Sequence, residues 1–215
     1  MASAAGVRCD GRKPGKSVRG TDLSNERAEH KRGAEEASLS QLGDTELLPL
    51  VILGSARSGG ETRRAVALAF PEGTARLINL PDFVIGGYAY DHLNAEDAFG
   101  QIADAMVAAE KIVFATPVYW YAMSAPMKVF FDRLSDLTEN RKAQGKALIG
   151  KSVWLIATGT ETELPEGFEV PFVRTAEYFT MQYRGAAYLY TGQDGIRRAQ
   201  DEESLKRFGA SVVAA

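Results

Sequence analysis

The sequence predicts an α/β domain built on a doubly wound parallel sheet, and three observations carry that prediction. Five short runs, Leu50–Gly54, Ala75–Leu80, Ile112–Ala115, Val153–Ala157 and Ala186–Tyr190, are apolar enough to be strands buried on both faces. Amphipathic stretches at helical spacing separate them. Their starts lie 25 to 41 residues apart, which leaves room for a helical crossover each time and is too far for hairpins. Strand–helix alternation repeated five times is the pattern of a parallel sheet with helices on both faces.

The elements follow in order. The first helix is expected to start near Thr62 and to run through Arg64, Ala65, Val66, Leu68 and Ala69. The second has Asn94 as its N-cap, Asp97 three residues on, and Phe99, Ile102, Ala103, Met106 and Ala109 along one face. The third opens at Ser124–Pro126 and carries Met127, Phe130, Phe131, Leu134 and Leu137 as core residues, whereas Lys128 and Arg133 read as solvent or interface residues. A fourth spans Phe172–Tyr183, and a last helix, Asp201 to Val213, closes the domain. Ligands of such sheets bind outside the carboxyl ends of the strands, where strand order reverses, so the loops after strands one, three and four are the ones that matter.

Composition sets the boundaries. Residues 1–46 hold no Phe, Tyr or Trp, and 8 basic and 8 acidic residues are crowded into them; all 20 aromatics lie beyond Glu46. So little apolar material cannot offset the entropy of ordering, so 1–46 reads as a disordered extension and 47–215 as the folded domain. The longest uncharged run, Ile112 to Met127, is 16 residues and carries two prolines, too short for a membrane span of about 20. Cys9 stands alone in the tail, which excludes an internal disulfide, a cysteine-ligated cluster and a thiol nucleophile in the fold. With His30 also in the tail, His92 is the one histidine of the body, which leaves no His/Cys zinc site and one candidate base for a serine hydrolase. A net charge of −3 without a basic stripe argues against nucleic acid as a partner. The tail lacks an apolar signal region and is only weakly transit-peptide-like, so a soluble cytoplasmic protein is expected.

After strand one, Leu50-Val-Ile-Leu-Gly54 runs into Ser55-Ala-Arg-Ser-Gly-Gly-Glu-Thr62 and then a helix. Glycines, hydroxyls and an arginine at a helix N-terminus form an anion cradle, because unpaired N–H groups and the positive end of the dipole point at the ligand. Gly54 and Gly59 have Walker A spacing, but Gly60 and Glu61 stand where Lys and Ser/Thr are needed. Ala56 breaks both the dinucleotide fingerprint and a nucleophile elbow on Ser58. A single terminal phosphate fits best; the competing reading is a Gly-rich turn with Arg57 in solvent.

After strand three, Thr116-Pro-Val-Tyr-Trp-Tyr121-Ala-Met-Ser-Ala-Pro126 places three aromatics in a row. Neighbouring side chains on extended backbone face opposite ways, so Tyr119, Trp120 and Tyr121 cannot share one core. Exposed amphipathic rings beside a proline suit a planar heterocycle, or equally an oligomer interface.

Together, Gly54-Ser-Ala-Arg-Ser-Gly-Gly-Glu-Thr62 and Thr116-Pro-Val-Tyr-Trp-Tyr-Ala-Met-Ser-Ala-Pro-Met-Lys-Val-Phe-Phe-Asp-Arg-Leu134 resemble the flavodoxin-like NAD(P)H-dependent FMN reductases, over roughly Leu48 to Tyr190. The resemblance implies a flavodoxin-like five-stranded sheet of order 2-1-3-4-5 with FMN at the switch point. Carried over position by position, Ser55, Arg57, Gly60, Glu61 and Thr62 hold the FMN phosphate. Pro117, Val118, Tyr119, Trp120 and Met123 line the ribityl chain and isoalloxazine, and Thr158, Gly159 and Thr160 close the other side of the ring. Where Glu61 stands the family often has Asn, and a carboxylate beside phosphate is repulsive unless it turns away and leaves its backbone N–H to donate.

The resemblance further implies NADPH or NADH as donor, a ping-pong transfer of hydride through the flavin to a small quinone, flavin, nitro or azo acceptor, and a homodimer or homotetramer. No side chain need act as acid or base, because the chemistry is the cofactor's. Tyr88, Tyr90, Tyr119 and His92 are candidate acceptor contacts, and the run Glu161, Glu163, Glu166, Glu169 is either a filter against anions or a solvated loop. A flavodoxin-type single-electron carrier is the other functional class; the mild net charge and Arg57 favour the enzyme.

Overall fold

Five parallel strands form the centre of the computed structural model, which describes residues 48–57 and 59–215. The expected tail, with Cys9 and His30, and Ser58 lie outside the described residues. The elements are β1 (Leu50–Leu53), α1 (Glu61–Ala69), β2 (Arg76–Asn79), α2 (Phe99–Ala108), β3 (Lys111–Tyr119), β4 (Ala122–Met123), α3 (Ala125–Arg133), α4 (Lys142–Lys146), β5 (Ser152–Gly159), α5 (Val170–Tyr178), β6 (Gln182–Tyr190) and α6 (Gly195–Ala214). The sheet runs β2-β1-β3-β5-β6. With the two-residue β4 set aside as an antiparallel ribbon on β3, this is the expected order 2-1-3-4-5.

Alternation along the strands divides the core into two layers. Leu50, Ile52, Ile112 and Phe114 pack with Phe99, Ile102 and Met106 of α2, Met127 and Phe130 of α3, and Phe172 and Ala176 of α5. Val51, Leu53, Val113, Ala115 and Ile156 face the opposite way, onto Ala65, Val66 and Ala69 of α1 and Leu205 and Val212 of α6. Helix α6 crosses α1 at backbone contact, for a Cβ at Gly209 would fall 1.8 Å from the Ala69 carbonyl oxygen. The crossing therefore requires glycine.

Several expectations are corrected. Asn94 does not cap α2; its amide donates to Gly87 O (2.8 Å), while Asp97 accepts from Phe99 N (3.0 Å) and the helix begins at Phe99. The fourth helix stops at Tyr178, and Tyr183 belongs to β6. Helix α6 starts at Gly195, because the Asp194 carboxylate accepts from Ile196 N and Arg197 N. Helix α4 was not expected at all. Arg133 is fully buried rather than solvent-facing: it pairs with Asp136 (2.8 Å) and Asp97 (2.5 Å), donates to Gly86 O and Asn94 O, and lies 4.8 Å from the Phe99 ring. A buried guanidinium persists only when its donors are matched this fully, and Arg133 thereby clamps the 84–98 segment to α3. Ser124 caps α3 as expected, accepting from Met127 N.

Candidate functional site

The chain leaves β1 for β2 on one side and reaches β3 on the other, so strand order reverses between β1 and β3. A cavity of about 360 Å³ opens there, at the carboxyl ends of the strands. Its lining comes from four loops: Ser55, Arg57, Gly60, Glu61 and Thr62 after β1; Pro117, Val118 and Tyr119 at the end of β3; Thr158, Gly159 and Thr160 at the end of β5; and Thr191 after β6.

Each wall follows from local chemistry. Gly60 stands at the N-cap of α1 in extended conformation without a side-chain cap. The first N–H groups of the helix therefore have neither an intrahelical acceptor nor a capping side chain. A Cβ at Gly60 would approach Arg57 Cβ to 3.1 Å and lean toward Ser55 Oγ, so glycine keeps this end of the helix open. Ser55 is buried and shapes the turn: its Oγ accepts from Arg57 N (3.4 Å) and reaches Arg57 O (3.3 Å). Arg57 itself is exposed. Across the floor, the hydroxyls of Thr62 and Thr158, both buried, share a hydrogen bond of 2.8 Å that ties α1 to β5.

The β3 wall is apolar. Ala115 O accepts from Gly54 N, so alternate residues of β3 direct their backbone groups toward β1. Pro117, two residues on, aims its missing donor past the end of β1, where no ladder bond is lost. Behind it, Thr116 Oγ1 accepts from Ser124 N (3.1 Å), and the Ser124 hydroxyl donates to Gly54 O, a buried knot that fixes the ends of β1 and β3 to the start of α3.

Beyond Tyr119, β3 turns back into β4 through two residues, Val118 pairing with Met123 and Tyr119 with Ala122. Both loop residues have positive φ, Trp120 at 49° and Tyr121 at 63°, which makes this a type I′ turn. Trp120 is 94% exposed. Neither Trp120 nor Met123 is among the residues that line the cavity; Met123 packs onto the core from β4.

On the far side, Thr191 N and Oγ1 both donate to Gly159 O (2.8 and 2.9 Å). Sequence reasoning missed Thr191, which follows the fifth strand; pairing of that strand with β5 was the signal that could have found it. Tyr188 donates to Glu161 O (2.9 Å), and burial, reinforced by Glu161, pushes its phenol up to about 12, so it stays protonated beside Gly159. The Tyr88–His92 segment is occupied elsewhere: Tyr88 donates to Glu139 (3.0 Å), and His92 Nε2 lies 3.8 Å from the same carboxylate.

The carboxylate of Glu61, a residue of the cavity lining, is paired with arginines. It meets Arg198 Nη2 of α6 at 2.5 Å and Arg64 Nη1, one turn along α1, at 3.6 Å. Chemically the arrangement offers a hydroxyl- and amide-lined anion cradle at one end and an apolar, aromatic-edged slot at the other.

The family model of the NADPH-dependent FMN reductases matches residues 49–193. A protein of Bacillus subtilis (strain 168), named a putative NAD(P)H-dependent FMN-containing oxidoreductase, YwqN, is 28% identical over 149 residues, covering 63% of this chain and 80% of its own length. The structure of the Trp repressor binding protein from Bacillus subtilis superposes with a TM-score of 0.60 at 24% identity, over 74% of this chain and 96% of that one. General stress protein 14 from Treponema denticola, solved in complex with FMN, gives a TM-score of 0.55 at 19% identity, over 78% and 98% of the two chains. No helix among the described residues is long and apolar enough to cross a membrane.

Proposed function

This chain belongs to the NADPH-dependent FMN reductase family, and from that premise we propose that the cavity at the β1/β3 switch point holds FMN and that the enzyme passes reducing equivalents from a nicotinamide to a small flat acceptor by a ping-pong cycle. The observation that carries the reading is the two-ended lining. FMN is a phosphomonoester at one end and a planar heterocycle at the other, and the cavity presents an uncapped helix N-terminus with Arg57 at one end and Pro117, Val118 and Tyr119 at the other. The donor set therefore fits the group.

In this reading the backbone N–H groups at the start of α1, the Ser55 and Thr62 hydroxyls and the Arg57 guanidinium bind the phosphate. Gly60 lets the backbone approach, and Glu61 contributes its N–H only. Pro117 and Val118 wall the ribityl chain and ring, and Tyr119 borders the ring's outer edge, with Trp120 and Met123 on the adjoining hairpin. Thr158, Gly159 and Thr160 close the opposite side; the bond between Thr62 and Thr158 holds the two ends of the cavity in register.

When bound, the flavin supplies hydride acceptance from NADPH or NADH and electron delivery to the acceptor. The protein binds, orients and excludes water. In the ping-pong proposal, nicotinamide and acceptor would occupy the same aromatic-edged end of the cavity in turn. The acceptor class is quinone, flavin, nitro or azo compound, matched to an apolar aromatic edge. The same reading places a homodimer or homotetramer in the cytoplasm.

The test is anaerobic. NADPH or NADH alone is expected to bleach the visible absorbance of the flavin-loaded protein, and a quinone added after the spent nicotinamide is removed is expected to restore it. A loaded protein that neither donor bleaches would instead be a single-electron carrier.

A further inference from the structure

Glu61 poses an electrostatic problem for the phosphate reading, and the last helix solves it. A carboxylate at the first position of α1 lies within a few ångströms of any anion bound there, where two like charges repel by an amount comparable to what the helix dipole offers. The Glu61 side chain is paired with two arginines. Its Oε2 meets Arg198 Nη2 at 2.5 Å and Arg64 Nη1 at 3.6 Å. The two arginines share a second acid, Glu202: Arg64 Nη2 lies 2.6 Å and Arg198 Nε 3.5 Å from Glu202 Oε1. Two acids and two bases thus alternate in a closed ring between α1 and α6. The bond to Glu61 raises the Arg198 pKa, and the bond from Arg64 lowers that of Glu202.

We propose that Arg198 is a positioning residue for phosphate recognition: it holds the Glu61 carboxylate against α6, so that the N-terminus of α1 presents only N–H donors to a phosphomonoester. This rests on the FMN reading above and adds to it a requirement for a residue about 140 positions away in the chain, outside the cavity lining. The ligand class follows from the charge. A dianionic phosphate is sensitive to a freed Glu61, whereas riboflavin, which has the same ring and ribityl chain and no phosphate, is not.

The experiment uses the full chain stripped of cofactor and titrates FMN and riboflavin separately by quenching of flavin fluorescence. Arg198→Ala is expected to weaken FMN about five- to tenfold at low salt, with riboflavin unchanged and the FMN loss shrinking as salt screens the exposed charges. Glu61→Gln/Arg198→Ala is expected to restore FMN affinity to within about twofold of the parent, since it removes the charge that Arg198 restrains. Arg198→Ala with undiminished FMN affinity, an equal loss for riboflavin, or no rescue by the second substitution overturns the proposal. If the parent binds FMN no tighter than riboflavin, the phosphate reading itself falls, and the role of Arg198 falls with it.

Discussion

Of the four loops that border the cavity, those after β1 and β3 are built in opposite ways. After β1 the backbone carries the chemistry: Gly60 leaves the helix end open, the Ser55 hydroxyl organises the turn, and side-chain charge is either solvent-facing, as at Arg57, or tied down, as at Glu61. After β3 the side chains carry it. The tip is a type I′ turn, a conformation that favours Asn-Gly, yet Trp and Tyr fill both left-handed positions. Holding an L-residue there costs roughly 1–2 kcal/mol each. On the proposed function, a loop that recognises a small anion can be built from glycine, whereas one that presents flat aromatic surface tolerates strain to do so.

The strongest way to break the comparison is at the joint between the two ends. Thr62→Val leaves the buried Thr158 hydroxyl without its partner and is expected to cost about 1–3 kcal/mol of stability in a denaturant titration. Thr62→Val/Thr158→Val is expected to cost less than the sum of the single changes, because no orphaned hydroxyl remains; simple additivity would show that the bond joins nothing. Next in size, Trp120→Asn/Tyr121→Gly is expected to raise stability by about 1–2 kcal/mol while slowing reoxidation of the loaded enzyme by acceptor. Thr180→Gly serves as its control. Thr180 is also left-handed, at φ 55°, but lies at the C-terminus of α5, away from the cavity. Glycine there is expected to add about 1 kcal/mol with acceptor kinetics unchanged. If both variants gain stability and neither changes turnover, the aromatic tip is ordinary strain and not a functional surface.

Thr180 also shows why parts of the fold were not legible. Met181 N donates to Ala176 O (2.8 Å) and Thr180 N to Glu177 O (3.0 Å), a Schellman ending with threonine where glycine is the usual marker. Without that marker the helical pattern ran on to Tyr183. Asn94 and Asp97 offered two polar residues in capping positions, and tertiary demand decided between them, since Gly86 N and Arg133 both bond Asp97. The parallel sheet was legible because apolar runs and crossover lengths are local properties, whereas its strand order came only with the family resemblance. The turn after β1 was legible too, because a Gly-rich anion cradle is written in adjacent residues, while the lining residues after β3 and β5 came with the resemblance. The Glu61–Arg198 pair was not, for it depends on how α6 crosses α1, and Thr191 came to the site only through the pairing of β6 with β5.

The central claim, that the end of α1 with Arg57 is a phosphate site, is tested most directly by the ratio of FMN to riboflavin affinity in the parent and in Arg57→Ala. The account predicts a marked preference for FMN in the parent and a loss of about 1–3 kcal/mol in FMN affinity alone on substitution, as for one charge-assisted contact. Equal affinity of the two flavins for the parent, or an unchanged ratio in Arg57→Ala, would contradict it.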